Sequence, residues 1–200
     1  MRYIFSLIFI SFCFNLSAQE DVYQRQKKAL GKAFECLEQQ KIYAATLTFN
    51  NAIINGADST LNYLAQKKRD SLIQILRSEL IAQLQGKWIW SGSGSGHIKP
   101  KKDDNSLNYY LLIKGDSLKS FEEVDNGKYL LKHKLKLVFY NDTHKRFLPS
   151  IYCQVYPDNT VWEYRIDEKG NLMIHHSGNF KENRIWPISD GVRHLYTKDE

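Results

Sequence analysis

The hydrophobic period of the sequence changes once, at Gly86, and that single change constrains the fold more than any other feature. From Asp21 to about Leu84 the chain has no proline and is dominated by Ala, Leu, Gln, Lys and Glu, the composition of helices. The pattern predicts three of them. The first covers about Val22 to Gln39 and the second about Ile42 to Ile54. Asn55-Gly56-Ala57-Asp58 ends the second and offers Asp58 or Ser59 as N-cap of a third, about Thr60 to Leu84. That third helix carries Leu61, Leu64, Leu72, Ile75, Leu76, Leu80 and Leu84, mostly at helical spacings, and so presents one apolar stripe.

Beyond Gly86 the period is two. Lys132 to Phe139 alternates, placing Leu131, His133, Leu135, Leu137 and Phe139 on one face and lysines on the other, as in a half-buried antiparallel strand. Similar runs at Lys87–Ser91, Asn108–Lys114, Leu118–Val124, Ile151–Tyr156, Val161–Ile166, Leu172–His176 and Val192–Thr197 bring the expected number to about eight strands. Turn chemistry separates them, for example Lys114-Gly115-Asp116, Pro157-Asp158-Asn159 and Glu168-Lys169-Gly170-Asn171. Many short antiparallel strands joined by tight turns imply a barrel or a sandwich. The class is therefore α+β, with a helical segment at 19–85 and a β-domain at 86–200.

The first 18 residues have a different character. One cation, Arg2, precedes a nearly unbroken apolar run from Ile4 to Phe14, and Leu16-Ser17-Ala18 offers a small residue before Gln19. This is the pattern of a cleavable signal peptide, and it predicts export to a periplasm or the exterior. The apolar run is shorter than the ~20 residues needed to span a bilayer, and no later stretch reaches that length, so no integral membrane segment is expected after cleavage.

Formal charge is +6, mild for the chain length, and the lysines are spread along the sequence. They read as a solvated face, and no nucleic-acid partner is expected. Cys13 falls in the leader, leaving Cys36 and Cys153, too few for a disulfide scaffold. Export permits the two to bond, and closing a loop of roughly 100 residues adds about 4–5 kcal/mol in the chain-entropy picture. Two separately buried thiols are the alternative.

Two resemblances add to this reading. Leu30-Gly31 and Phe34, followed by Ala45, Phe49 and Ala52, resemble the paired helices of a tetratricopeptide repeat. A single such hairpin cannot bury its own apolar face, so it is expected to pack on a neighbour. Gly86-Lys87-Trp88, at the junction of helix and first strand, resembles the Gly-x-Trp signature of lipocalins, and Trp88-Ile89-Trp90-Ser91 before a Gly/Ser-rich stretch is similar to small exported bacterial lipocalin-like domains. The resemblance covers about residues 85–198; Tyr140-Asn141-Asp142 stands nearest to the family's Thr-Asp-Tyr motif. It implies an eight-stranded antiparallel lipocalin-like β-barrel in which Trp88 closes one end and an arginine packs across it, Arg193 or else Arg184. It also implies a long connection over the mouth, at Ser91 to Ser106.

An eight-stranded barrel either fills itself with side chains or holds one small ligand. Trp90, Tyr109, Trp162 and Tyr164 are the candidate walls of an apolar pocket, and His133, set among aliphatic neighbours by alternation, is the candidate polar anchor. The resemblance thus implies a non-catalytic protein binding a small apolar or amphipathic molecule. The alternative is an envelope interaction module that grips a protein partner through its helices, with a filled barrel as scaffold. No catalytic or cofactor motif is present: no nucleophile elbow surrounds a serine, Glu122 and Glu123 alternate faces, and the histidines match no metal-ligand spacing.

Overall fold

The computed structural model describes residues 2–54, 56–95, 108–125, 127–140 and 151–199, with side chains from residue 20 onward. Three helices come first: α1 (Arg2–Glu38), α2 (Ile42–Ile54) and α3 (Ser59–Leu84). Among the described residues no helix is long and apolar enough to cross a membrane. The chain divides into two compact units, separated in the sequence between Leu76 and Arg77.

In the first unit the apolar spacing read from the sequence is the packing. Leu30 and Ala33 of α1, Ala45, Phe49, Ala52 and Ile53 of α2, and Ala65 and Leu72 of α3 form one buried cluster, with the Phe34 ring edge-on to Phe49 at 5.2 Å. Alanine at four of these positions lets helix backbones approach while Phe49 fills the space between them. Gly31, by contrast, faces open space: a β-carbon there would touch nothing, so helix packing does not require glycine at this position.

The turns are fixed by polar groups. Helix α1 ends in a Schellman arrangement, with Gln40 at φ 58°, Lys41 N–H donating to Cys36 O and Gln40 N–H to Leu37 O. Asp58 caps α3 by accepting from Leu61 N–H at 2.8 Å. Gln26 is fully buried, yet its amide is satisfied at both ends: Oε1 accepts from Ala57 and Asp58 N–H, and Nε2 donates to Asp58 O and Asn62 Oδ1.

Among the described residues the second unit holds the end of α3 and nine antiparallel strands: β1 (Gly86–Ser95), β2 (Tyr109–Lys114), β3 (Ser117–Asp125), β4 (Lys128–Lys136), β5 (Cys153–Val155), β6 (Thr160–Ile166), β7 (Leu172–Lys181), β8 (Arg184–Pro187) and β9 (Val192–Lys198). They form one sheet in the order β4-β3-β2-β1-β9-β7-β6-β5, with β8 added alongside β7. The sheet curls but does not close. Its edges are β4 and β5, which share no strand ladder among the described residues; Phe139 bridges to Gln154, Tyr140 N–H donates to Cys153 O, and Gln154 Nε2 donates to Lys136 O at 2.8 Å. The expected closed, eight-stranded barrel is therefore an open half-barrel of nine strands. The ninth, β8, lacks alternation and was not legible. Gly92 to Ser95, expected as the start of a loop, are strand; residues 96–107, which contain the rest of the expected lid, lie outside the described residues, as do Asn141 and Asp142 of Tyr140-Asn141-Asp142.

Four bulges among the described residues bend this sheet. Each marks a shift in register: at Ser91 on β1, at Val124 on β3, at Lys132 on β4 and at Ser177 on β7. An extra residue on one strand bends it and increases its twist. Leu80 and Leu84 of α3 form one core with Trp88, Leu111, Ile113, Leu118, Leu137, Phe139, Tyr164, Leu172, Ile174 and Tyr196.

Candidate functional site

Register decides which side chains share the inner face. Trp90 stands opposite Tyr196, and because the bulge consumes Ser91, Ser93 follows on the same face opposite His194. On the next ladder Tyr109 pairs with Glu122, Leu111 with Ser120, and Ser120 with His133. Together these residues line a cavity of about 760 Å³ inside the curl. Its apolar wall is Leu111, Leu118, Leu135 and Ile174; its aromatic wall is Trp90, Tyr109, Tyr156, Trp162 and Tyr196; its polar groups are Ser93, Ser120, Glu122, Lys132, His133, Asp158 and His194.

Two internal networks hold the indoles. Trp90 Nε1–H donates to Ser93 Oγ at 3.3 Å, and Ser93 Oγ lies 2.7 Å from His194 Nδ1. Since the indole is a donor only, Ser93 Oγ accepts from it and shares a second hydrogen bond with His194 Nδ1. Trp162 Nε1–H donates to Thr160 Oγ1 at 2.8 Å, and that hydroxyl donates in turn to Asp158 Oδ1. Both indole N–H groups are thereby directed to the protein. Trp162 also stacks near-parallel with His176 and His194, at 5.0 and 5.6 Å between centroids, while Trp90 meets Tyr109 edge-on at 5.7 Å.

The electrostatics divide along the cavity. Burial holds the His194 imidazole below its ordinary value, and it raises the phenols of Tyr156 and Tyr196, so these groups are neutral near neutral pH. Hydrogen bonds from Thr160 keep the Asp158 carboxyl below the usual carboxylate range. Lys132 Nζ and Glu122 Oε2 form an ion pair at 2.5 Å, the Glu122 side chain largely buried and the Lys132 side chain exposed. The charged groups are thus at the β3–β4 side and at the β5–β6 turn, and the neutral rings lie between them.

Of the residues expected to form the site, Trp90, Tyr109, His133 and Trp162 line the cavity. Tyr164 does not. It is fully buried in the core, and its hydroxyl lies 2.6 Å from that of Tyr156, the residue that lines the cavity in its place. His133 is on an edge strand and exposed, so its setting is less enclosed than alternation suggested. The bulge at Lys132 also takes Leu131 off the His133 face: Leu131 stands opposite Phe121, whose neighbours Ser120 and Glu122 point into the cavity. Ser93, Glu122, Lys132, Tyr156, His194 and Tyr196 were not proposed from the sequence. Alternation along β9 would have joined His194 to Tyr196, but Ser93 and Lys132 depend on bulges that no local pattern signals.

Trp88 is buried, but Arg193 does not cross it. Arg193 stands opposite Gly94 and His175, at the far end of the β1–β9 ladder. The cation over the Trp88 ring is Lys198, 5.3 Å from the centroid, because Lys198 is the residue paired with Trp88. Arg184 lies instead over Trp186 at 3.8 Å. Cys36 and Cys153 are both thiols, with no disulfide; Cys153 Sγ is 3.5 Å from Ser177 Oγ. Among the described residues no group of three His, Cys, Asp or Glu side chains is placed to hold a metal ion.

Comparison with protein-family models, with curated proteins and with solved structures returns no match.

Proposed function

We propose that the chain is exported, with residues 1–18 as a cleavable signal, and that it is a non-catalytic binding protein holding a small apolar or amphipathic ligand in the curl of its sheet, as a lipocalin-like domain would. The observation that carries this reading is the cavity of about 760 Å³, within the range of roughly 300–1,000 Å³ usual for ligand pockets. Its wall composition supports an aromatic or aliphatic body, because the lining is largely aromatic and aliphatic and the indole N–H groups are satisfied internally. The Lys132–Glu122 pair and His133 supply a polar margin for an amphipathic head.

Native mass spectrometry of the protein taken from its exported fraction tests both halves. A chain beginning near Gln19 and carrying an extra mass that is lost on denaturation is the expected result; a bare chain, with no quenching of tryptophan emission by any of a panel of aromatic and fatty amphiphiles, overturns the ligand reading. A second reading, a protein partner gripped by the helices, draws on Tyr43, Leu47 and Ile54, exposed along one side of α2.

A further inference from the structure

The outer face of the same sheet poses a separate question. An antiparallel sheet with one face on the core normally shows polar side chains on the other. Register arranges the outer face of β1–β4 differently, in rows that run across the strands. One row is Ile89, Tyr110, Phe121 and Leu131; the next is Lys87, Leu112, Lys119 and Lys134. The first row is apolar from end to end, with Ile89 and Leu131 exposed and Tyr110 stacked on Phe121 at 4.5 Å. In the second, Lys119 and Lys134 are direct cross-strand partners, an arrangement that costs stability because like charges oppose each other. Lys87 is paired with Asp199, but Lys119 and Lys134 make no ion pair among the described residues.

We propose that this face is a docking surface for an anionic lipid bilayer. The two rows match the two layers such a surface presents. Lysines reach phosphate head groups, and the adjacent aromatic and aliphatic row rests at the boundary with the acyl chains, where amphipathic rings are favoured. A soluble polyanion would use the lysines but leave the apolar row in water, and an apolar protein partner would leave the opposed lysines uncompensated. Charge complementarity combined with an exposed apolar row selects the bilayer. The surface is opposite the cavity across the sheet, so the proposal does not depend on ligand binding.

The test is co-sedimentation of the protein, as purified from the producing cells and with its N-terminus fixed by intact mass, with vesicles of phosphatidylcholine alone or with 30 % phosphatidylglycerol. Partition into the anionic vesicles above the neutral ones is expected, falling as salt is raised. Lys119→Glu separates docking from folding. It sets an acid opposite Lys134, so the melting temperature should hold or rise while anionic partition falls at least about fivefold, on the scale of one surface lysine. Leu131→Gln should weaken partition severalfold, and Lys169→Glu, the same charge change in the β6–β7 turn, should alter it less than twofold. The proposal is overturned by equal partition into neutral and anionic vesicles, by equal losses in Lys119→Glu and Lys169→Glu, or by dextran sulfate binding the protein as strongly as vesicles do with Leu131→Gln without effect.

Discussion

The Trp88 indole N–H donates to the carbonyl oxygen of Leu84 at 2.7 Å, so the last turn of α3 is capped by the first inward side chain of the sheet. Helix ends leave carbonyls without partners, and this one is buried, where an unmet acceptor costs about 1–3 kcal/mol. Gly86 makes the bond possible by taking φ +119°, which turns the chain from helix to strand in two residues. Trp88→Phe should keep the ring's packing but orphan the carbonyl, lowering stability by about 1–3 kcal/mol in urea unfolding followed by circular dichroism. Trp88→Ala should cost about 3–5 kcal/mol.

Arg77 should be comparably sensitive for a different reason. Its guanidinium is buried, donates through Nε to Ile151 O at 2.7 Å and through Nη2 to Tyr140 O at 2.6 Å, and lies over the Phe139 ring. It ties together the two chain segments that flank residues 141–150. Charge-assisted bonds to carbonyls contribute about 1.5 kcal/mol or more each, so Arg77→Met should lose about 3 kcal/mol, read as a lowered urea midpoint. Arg77→Lys keeps the charge but not the fork, and should fall between the two.

Burial of two imidazoles sets the pH dependence. His194 is held below its ordinary value by burial, and His175 by burial and then by the Arg193 charge. Between the depressed folded value and the unfolded value near 6.5, the unfolded chain binds the proton and the folded chain does not. Stability is therefore at its full value above about pH 6.5 and declines as the pH falls from there toward the folded values. Urea midpoints should be lower at pH 5.5 than at pH 7.5, and His194→Gln should flatten that slope. A midpoint that rises on acidification would contradict the assignment.

Native alkylation should distinguish the thiols. Cys36 is half-buried on α1, while Cys153 is buried on β5, beside Ser177. Iodoacetamide under native conditions should modify Cys36 first, with a second adduct appearing only as denaturant reaches the unfolding transition; intact mass after timed quenching measures both steps.

What the sequence made legible follows from what is local. Helix boundaries at Ile42, Ile54 and Leu84 were readable because apolar spacing, Asp58 and the Gly86 break all act within a turn or two. Seven of the strands were readable in place by alternation, and four of the five proposed wall and anchor residues line the cavity for the same reason. The eighth, β4, was displaced toward Lys128, since its alternation continues past Lys136 into residues that leave the β3 ladder. Closure, by contrast, is a property of two edges far apart in sequence, and nothing local says that β4 and β5 stay unpaired. Bulges are equally silent: each moves one residue across the sheet, bringing Ser93 in and sending Leu131 out, and each is set by long-range register. The partner of Trp88 was misassigned to Arg193 because counting along β9 cannot fix which of its residues meets β1 at that level.

The turn that hid β8 also offers a way to strengthen the fold. Glu182 and Asn183 join β7 to β8 with φ of 55° and 58°, the two positive values that a type I′ hairpin turn requires. Asn tolerates that region, whereas Glu does not favour it, and a left-handed conformation costs about 1–2 kcal/mol for an ordinary L-residue. The sequence Glu-Asn therefore reads as neither turn nor strand, although the backbone adopts the tightest hairpin. Replacing the pair by Asn-Gly, with Glu182→Asn and Asn183→Gly, keeps the geometry and relieves it; the Tyr140 hydroxyl bond to the residue 183 carbonyl uses the backbone and survives. Glu182 also makes long contacts to Lys181 and Arg184, at 3.9 and 3.8 Å, but such exposed pairs contribute at most a few tenths of a kcal/mol. The double variant should gain about 1 kcal/mol in urea unfolding. A loss instead would mean that the Glu182 charge, rather than the turn, holds β8 against β7.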